Sequence, residues 1–184
     1  DRLAGSQASS PAAELRGRTM TIALDQRAPD PRLGGIIKLA ALAVGGQGGG
    51  VLTAWIEDLA RANGYVAQAT SVAGVAQRTG ATVYYVEMAP VSRLGTPIFS
   101  LMPAAGDVDI MIAAEVMEAG RSIIRGFVTP DRTTLIASTH RSLAVSEKIV
   151  PGDGIADGAE VMAAADTCTV HHADDRFPHV VLVR

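Results

Sequence analysis

The stretch that decides the fold is residues 36–56, which read IIKLAALAVGGQGGGVLTAWI. Its first nine residues are almost continuously apolar, as is typical of a strand buried on both faces of a sheet. Five glycines then interrupt the apolar run, and apolar residues return at the spacing of one helical face. These residues are Val51, Leu52, Trp55, Ile56, Leu59 and Ala60. We therefore expect a strand, a glycine turn and a helix whose apolar side, with Trp55, lies in the core.

The following segments continue the alternation of strands and helices. Asn63 and Gly64 form a helix stop, and residues 65–70 are predicted to form a second strand. Together they make a βαβ unit, which implies a parallel sheet and a right-handed crossover. Further strands are predicted at residues 81–88, 107–114, 133–138, 166–170 and 179–183, and helices at residues 115–127 and within 152–165. The pattern predicts an α/β fold, a three-layer Rossmann-like domain with a mainly parallel sheet.

The first 35 residues differ from the rest of the chain. They are rich in Ser, Pro and Arg and have little apolar periodicity. No apolar stretch of the 7–15 residues that a secretory signal needs follows positive charge there, so we do not expect a secretory signal. We interpret residues 1–35 as a linker or N-terminal arm, with the alternative that residues 19–24 add one edge strand. Residues 36–184 then form a single domain.

Composition argues against several classes of function. Sixteen basic and 19 acidic side chains give a net charge of −3, which disfavours electrostatic binding of nucleic acid or anionic lipid. The single cysteine, Cys168, is too few for an internal disulfide, a cysteine zinc site or an iron–sulfur cluster. It is predicted to be a core residue of a short strand. We expect a protein of a reducing, cytoplasmic compartment with no partner nucleic acid, no membrane span and no metal of its own.

The glycine turn is the first candidate site. Ligands of open α/β sheets lie beyond the carboxyl ends of the strands, and the free N–H groups of a helix start attract anions. The residues predicted here for cofactor binding or an interface are Gly45, Gly46, Gln47 and Gly48. The alternative is a tight turn that serves helix–sheet packing alone.

Neither common nucleotide motif is complete in this turn. Val51 stands at the third position of the dinucleotide fingerprint, and residues 68–71 (QATS) lack its acidic residue. The phosphate-binding P-loop is missing as well, because no Lys or Ser follows Gly50. The motifs therefore do not identify a nucleotide.

A second candidate site precedes the strand at residue 81. Its residues are Gln77, Arg78, Thr79 and Gly80. The planar guanidinium of Arg78 can bind a phosphate or a carboxylate, and the alternative is an ordinary surface arginine.

Charged and imidazole side chains follow two of the later predicted strands. Glu115 follows the strand at residues 107–114 and falls near the predicted crevice. Glu118 can pair with Arg121 on the next helix, with a solvated helical face as the alternative. His140 can hydrogen-bond a substrate or be an ordinary loop histidine. No residue is assigned as catalytic, and the adjacent His171 and His172 point to opposite faces of a strand, which disfavours a shared metal.

Three stretches together resemble the gamma-type domain of the thiamine-diphosphate-dependent 2-oxoacid:ferredoxin oxidoreductases. They are residues 43–49 (AVGGQGG), residues 74–81 (GVAQRTGA) and residues 107–121 (DVDIMIAAEVMEAGR). The branch to which they are most similar is the beta subunit of indolepyruvate oxidoreductase. The resemblance covers residues 36–150, and the pairing of the GGQG turn with the AQR-x-G segment is its most specific part.

The resemblance implies that the cofactors and this chain belong to different subunits of one enzyme. Thiamine diphosphate and the iron–sulfur clusters are expected in a large partner subunit, and none is expected to be bound by this chain alone. The implied reaction decarboxylates an aryl-pyruvate-like 2-oxoacid to an acyl-CoA and passes electrons to ferredoxin. This chain would shape the shared active site and the approach of coenzyme A. Two alternatives are a stand-alone nucleotide-binding module and a non-catalytic docking domain.

Overall fold

A single six-stranded sheet organises the part of the chain that is described. The computed structural model describes residues 31–73, 81–92, 95, 97–141, 157–168 and 180–183, all within a unit that spans Pro31–Arg184. The strands are β1 (Ile37–Val44), β2 (Tyr65–Val72), β3 (Ala81–Pro90), β4 (Ile110–Ala113), β5 (Thr134–Ser138) and β6 (Val180–Val183). The helices are a 3₁₀ turn (Pro31–Gly34), α1 (Gly49–Ala62), α2 (Val116–Ile124) and α3 (Gly158–Thr167). None of these helices is long and apolar enough to cross a membrane.

The sheet is mainly parallel, with one antiparallel strand among the six described. Its order is β2-β3-β1-β4-β5-β6. Strands β1, β4, β5 and β6 pair in parallel, and β3 pairs antiparallel with both β1 and β2. Ala40 of β1 lies opposite Tyr85 on one side and Met111 on the other.

The predicted βαβ unit therefore needs a correction. Strands β1 and β2 run in the same direction, as predicted, but β3 lies between them. The connection between β2 and β3 is short, so the two strands form an antiparallel pair, as short connections require. The antiparallel strand β3 then occupies the position next to β1 that the sequence pattern assigns to β2.

The helices form layers on the two faces of the sheet. On one face, α1 packs on β2 and β3, and the ring of Tyr84 lies against Gly49 at the helix start. Tyr85, the next residue of β3, joins the core cluster that includes Ala119 of α2 and Ala165 of α3. Because neighbouring residues of a strand point to opposite faces, α1 lies on one face and α2 and α3 on the other. The predicted three-layer α/β architecture is confirmed.

The orientation of α1 is the largest departure from the predicted core. Val51, Trp55 and Leu59 are 55%, 68% and 65% exposed, so the prediction that they are buried was wrong. The buried residues of α1 are small: Gly49, Thr53 and Ala60. A Cβ at Gly49 would overlap the ring of Tyr84, so only glycine lets the helix start approach β3 this closely. The small side of the helix thus faces the sheet, Leu52 and Ile56 are half-buried, and Val51, Trp55 and Leu59 face outward.

The last helix also corrects the predicted boundaries. Asp166 and Thr167 belong to α3 and Cys168 caps it, so the predicted strand at residues 166–170 does not begin there. Asp157 caps the amino end, since its carboxylate accepts a 2.8 Å hydrogen bond from the N–H of Ala159. Cys168 is half-buried against the core cluster, so its packing role is as predicted although its strand is not.

An ion-pair network ties together the amino ends of three strands. Asp109 accepts hydrogen bonds of 2.9 Å from the backbone N–H of Lys38 and from Nε of Arg132. Asp107 pairs with the Lys38 ammonium and, at 2.6 Å, with Arg132. The Lys38 hydrogen bond holds the pKa of Asp107 below its usual value. These bonds occupy residues 107–109, so β4 begins only at Ile110 instead of at the predicted residue 107.

On the face opposite α1, a loop that includes Ser100 and Leu101 covers β2 and β3, and no described helix lies there. Glu87, which is 2% exposed, accepts hydrogen bonds from Tyr85 at 2.5 Å and from the backbone N–H of Ser100 at 2.7 Å. Thr70 of β2 donates a 2.7 Å hydrogen bond to the carbonyl of Leu101. A buried carboxylate thus helps to hold the loop at Ser100 and Leu101 against the sheet.

Candidate functional site

The predicted site features meet where the chain changes direction across the sheet. After β1 the chain crosses by α1 on one face, and after the neighbouring β4 it crosses by α2 on the other. The N–H of Ala114 donates a 3.0 Å hydrogen bond to the carbonyl of Leu42, so the carboxyl ends of β1 and β4 lie side by side. Open α/β sheets bind ligands in the crevice at such a topological switch point. The glycine turn follows β1 and Glu115 follows β4, so both lie at the carboxyl end of these paired strands, where such a crevice is expected.

The glycine turn has a backbone that only glycine adopts freely. Gly46 and Gly48 have φ of 94° and 76°, in the left-handed region. Between them, Gln47 makes two hydrogen bonds to Val44, one from its own N–H to the carbonyl (3.1 Å) and one from the Val44 N–H to Oε1 (2.7 Å). The side-chain oxygen of Gln47 thus holds the turn closed, which assigns this predicted site residue a positioning role.

The start of α1 presents its backbone N–H groups without a side-chain cap. Gly48 is the N-cap, makes no side-chain hydrogen bond, and no acidic residue occupies the first turn. The first intrahelical bond runs from the N–H of Leu52 to the carbonyl of Gly48 at 3.0 Å. The N–H groups of the first turn therefore have no intrahelical acceptor, and this end of the helix attracts negative charge.

Glu115 begins the second helix at the crevice. It is 2% exposed, it is the N-cap of α2, and its own side chain does not cap that helix. The N–H of Val116 donates a 3.0 Å hydrogen bond to the carbonyl of His140, which ties the end of β5 to the start of α2. The imidazole of His140 is exposed. The backbone of His140 thus holds the start of α2, with the buried Glu115, at the carboxyl end of the sheet.

Glu118 is a buried carboxylate one turn further along α2. Its Oε1 accepts a 2.8 Å hydrogen bond from Arg121, as the sequence predicts, but the residue is only 1% exposed. The alternative of a solvated helical face was therefore wrong. Its Oε2 is buried and has no hydrogen-bond partner. Burial raises the pKa of Glu118 above its usual value, against the opposing effect of Arg121.

A small groove beside the glycine turn adds residues that the sequence pattern does not indicate. It has a volume of about 200 Å³ between α1 and β2. Its lining is Gly50, Thr53, Ala54, Glu57, Ala69, Thr70, Ser71 and Tyr84. These residues come from α1, β2 and β3, so they cannot be grouped without knowing how β2 and β3 pair. The aromatic residue Tyr84 is the one sequence feature that could have drawn attention to this groove.

The remaining predicted site residues, Gln77, Arg78, Thr79 and Gly80, lie outside the described part of the chain. His171 and His172, where the sequence argues against a metal site, also lie outside it. Within the described ranges, no group of three or more His, Cys, Asp and Glu side chains is placed to hold a metal ion. Gly45, Gly46, Gln47, Gly48 and Glu115 are the predicted site residues that the structure places.

Comparison with known proteins adds one family and one similar structure. A family model described as pyruvate ferredoxin/flavodoxin oxidoreductase matches residues 38–174. A subunit of pyruvate oxidoreductase, PORC from Thermotoga maritima, has a similar structure with a TM-score of 0.43 and 13% sequence identity. The alignment covers 61% of this chain and 55% of PORC, so the chain spans about half the length of that subunit. A search of curated proteins gave no match.

Proposed function

Because the chain belongs to the pyruvate ferredoxin/flavodoxin oxidoreductase family, we propose that it is an accessory subunit or domain of a thiamine-diphosphate-dependent 2-oxoacid oxidoreductase. The match over residues 38–174 carries this proposal, since it includes both the glycine turn and Glu115. The proposed enzyme decarboxylates an aryl-pyruvate-like 2-oxoacid to an acyl-CoA and passes the electrons to ferredoxin. The resemblance to the indolepyruvate branch motivates that substrate class.

The cofactors of the proposed enzyme are assigned to a large partner subunit. Thiamine diphosphate supplies carbanion stabilisation when bound, and iron–sulfur clusters carry the electrons. A cluster needs about four protein ligands, usually cysteines, whereas this sequence has one cysteine. We place the complex in the cytoplasm, where a single free thiol is typical.

This chain contributes an anion-attracting surface beside the shared site. The uncapped start of α1 directly follows the glycine turn at the carboxyl end of β1, beside which β4 also ends. A phosphate of coenzyme A or the carboxylate of the 2-oxoacid matches the charge that such a helix end attracts. Arg78 is proposed to add a guanidinium to this site, as the resemblance implies.

Reconstitution tests the proposed function. The purified chain is mixed with the thiamine-diphosphate- and iron–sulfur-containing large subunit from the same organism. Reduction of ferredoxin is then followed with coenzyme A and either an aryl pyruvate or pyruvate. We expect no turnover from either component alone and turnover from the mixture, with the aryl pyruvate preferred. Turnover by the large subunit that is unaffected by this chain would refute the accessory role, and a preference for pyruvate would refute the aryl substrate class.

One observation supports the alternative of a nucleotide-binding module. The uncapped helix start at Gly48 suits a nucleotide phosphate as well as it suits coenzyme A. Calorimetric titration of the isolated chain with ATP and with NAD separates the two. Binding of either nucleotide at micromolar concentration would favour the module over the accessory subunit.

A further inference from the structure

The outer edge of β2 is open in the described part of the structure. Strand β2 ends the sheet on its side, and among the described strands it pairs with β3 alone. Its eight residues, YVAQATSV, include no charge and no proline, and its register with β3 runs without a bulge. Natural edge strands are usually short, charged, bulged or interrupted by proline, which prevents pairing with a further strand. Strand β2 has none of these protections, whereas β6 at the opposite edge spans four residues.

The hydrogen bonds between β2 and β3 show which backbone groups face the open edge. The N–H of Val91 donates a 2.9 Å hydrogen bond to the carbonyl of Gly64, which lies opposite it when the register is continued by one residue. In an antiparallel pair, hydrogen-bonded and non-hydrogen-bonded residue pairs alternate. The residues whose N–H and C=O groups point away from β3 are therefore Tyr65, Ala67, Ala69 and Ser71.

The side chains of β2 leave these outward groups uncovered. Gln68 and Thr70 donate hydrogen bonds of 3.5 and 2.7 Å to the carbonyls of Ser100 and Leu101, in the loop on the face opposite α1. Ala69 and Ser71 are small and lie on the face of α1. A row of backbone donors and acceptors at every second residue is matched by an extended strand. The open edge therefore specifies the backbone conformation of what pairs with it.

We propose that a second copy of this chain occupies this edge, with the two β2 strands antiparallel about a two-fold axis at Gln68. This axis places Tyr65 opposite Ser71 of the second copy and Ala67 opposite Ala69 of the second copy. All outward backbone groups of both strands are then paired. The two sheets join into one continuous sheet, and the pairing does not depend on the proposed function.

The residues of β2 favour an identical strand as the occupant. The chain carries a net charge of −3, but β2 carries no charge, so two copies of it bring no like charges opposite each other. Interfaces with a different protein usually select their partner by complementary charges, and β2 offers none. The proposed axis also pairs small Ala67 with small Ala69, and β-branched Val66 with β-branched Thr70.

Apolar side chains next to the edge add to this pairing. Leu101 and Met102 are 67% and 59% exposed. The carbonyl of Leu101 is bonded to Thr70 of β2, so both residues lie close to the edge. A second β2 strand lies beside this loop in both copies, because the axis makes the two sides equivalent. Removal of these side chains from water stabilises the pair beyond the small net gain from backbone hydrogen bonds.

The molar mass of the full chain, measured by light scattering during gel filtration, tests the proposal. We expect a dimer that dissociates on dilution. Ala69→Pro removes one outward N–H and leaves the bonds to β3 in place, and proline is tolerated on edge strands. It should weaken dimerisation at least tenfold. Ala69→Ser, which keeps the N–H, is the matched control and should dimerise like the wild type, and circular dichroism checks that both variants keep the fold.

Cross-linking tests the position of the axis without proline. Gln68→Cys is made in a Cys168→Ala background, which removes the one native thiol. On the axis, the two introduced cysteines form a non-hydrogen-bonded pair with Cα atoms about 4.5 Å apart, within the range of a disulfide. Mild oxidation should therefore give a covalent dimer. Val66→Cys in the same background is the control and should stay uncoupled, because Val66 lies opposite Thr70 of the second copy.

Four results would overturn the proposal. The first is a chain that stays monomeric at every concentration. The second is a dimer that is unaffected by a folded Ala69→Pro variant and does not cross-link through residue 68, which would identify another surface. Amide hydrogen exchange at Ala67, Ala69 and Ser71 gives the other two. Slow exchange in the dilute monomer would identify a segment of this chain at the edge, and slow exchange only after the large subunit is added would identify a strand of that subunit.

Discussion

Gly48 combines two roles that the sequence could indicate only as a pattern. It adopts φ 76° and it is the N-cap of α1, so the same residue closes the glycine turn and opens the helix. Open space surrounds the position where its Cβ would lie. Any cost of a side chain there is therefore conformational strain rather than a clash.

Gly48→Val should destabilise the protein by about 1–3 kcal/mol, because a β-branched residue is strained at positive φ. Chemical unfolding of the full chain measures this. The matched control is Gly45→Val, since Gly45 is also exposed, also has open space, and is not in the left-handed region. Equal stability of the Gly48→Val variant and the wild type would show that the turn is not constrained.

Arg78 should matter to the assembled enzyme more than to folding. Arg78→Ala is expected to shift the Tm of the isolated chain by no more than a few degrees and to lower complex activity or subunit affinity at least tenfold. Loss of a buried charged contact costs about 2–5 kcal/mol, and much less at a rim. Arg78→Lys should rescue only in part, because lysine lacks the bidentate fork.

Both quantities are measured on one preparation, with Arg125→Ala at the exposed end of α2 as the control. If the Tm of Arg78→Ala falls sharply while activity per assembled complex is unchanged, Arg78 has a structural role instead.

Helix α2 owes its position to contacts at its first turn. Its start is tied to β5 by the bond between Val116 and His140, and Glu118 is buried beside Arg121 with one oxygen unpaired. A carboxylate whose pKa is raised by burial is less stable in the folded protein than in water. This turn therefore carries an energetic cost that grows with pH.

The raised pKa of Glu118 predicts how the stability of the folded protein changes with pH. The folded state holds the Glu118 proton more tightly than the unfolded state, so the cost is small below the ordinary value of 4.5 and is fully present above the raised pKa. Relative to Glu118→Gln, the wild type should lose stability as pH rises from 4 to 8, measured as Tm. Glu160→Gln, at an exposed carboxylate in the first turn of α3, is the matched control. A Tm difference independent of pH would contradict the prediction.

We propose that this chain does not catalyse the reaction by itself. One cysteine cannot hold an iron–sulfur cluster, and the crevice at β1 and β4 offers an anion-attracting helix start with no catalytic residue assigned. These features fit a chain that works in a complex.

The purified chain should therefore be folded, colourless and inactive by itself. Its circular dichroism should show mixed α/β structure, and its visible spectrum should lack the broad absorption of iron–sulfur clusters. The control is the large subunit purified in the same way, which should be coloured. A visible absorption band that copurifies with this chain alone would contradict the assignment of the clusters to the partner.

Local sequence patterns are sufficient to predict the alternation of strands and helices and the position of the glycine turn. Residues 36–44 are apolar throughout and the turn is almost all glycine, and such local patterns act through backbone preferences and burial that need no distant partner. The same reasoning placed Glu115 at the end of a strand, and the parallel pairing of β1 with β4 brought it to the turn.

Tertiary contacts, in contrast, determine which strand lies beside β1 and which side of α1 faces the sheet. The position of β3 depends on its pairing with two strands at once, and hydrophobic periodicity contains no information about pairing partners. The burial of Gly49, Thr53 and Ala60 in place of Trp55 depends on the close approach of α1 to Tyr84. An apolar row at helical spacing looks the same in sequence whether the fold buries it or leaves it exposed, because the spacing does not show how closely the helix approaches the sheet.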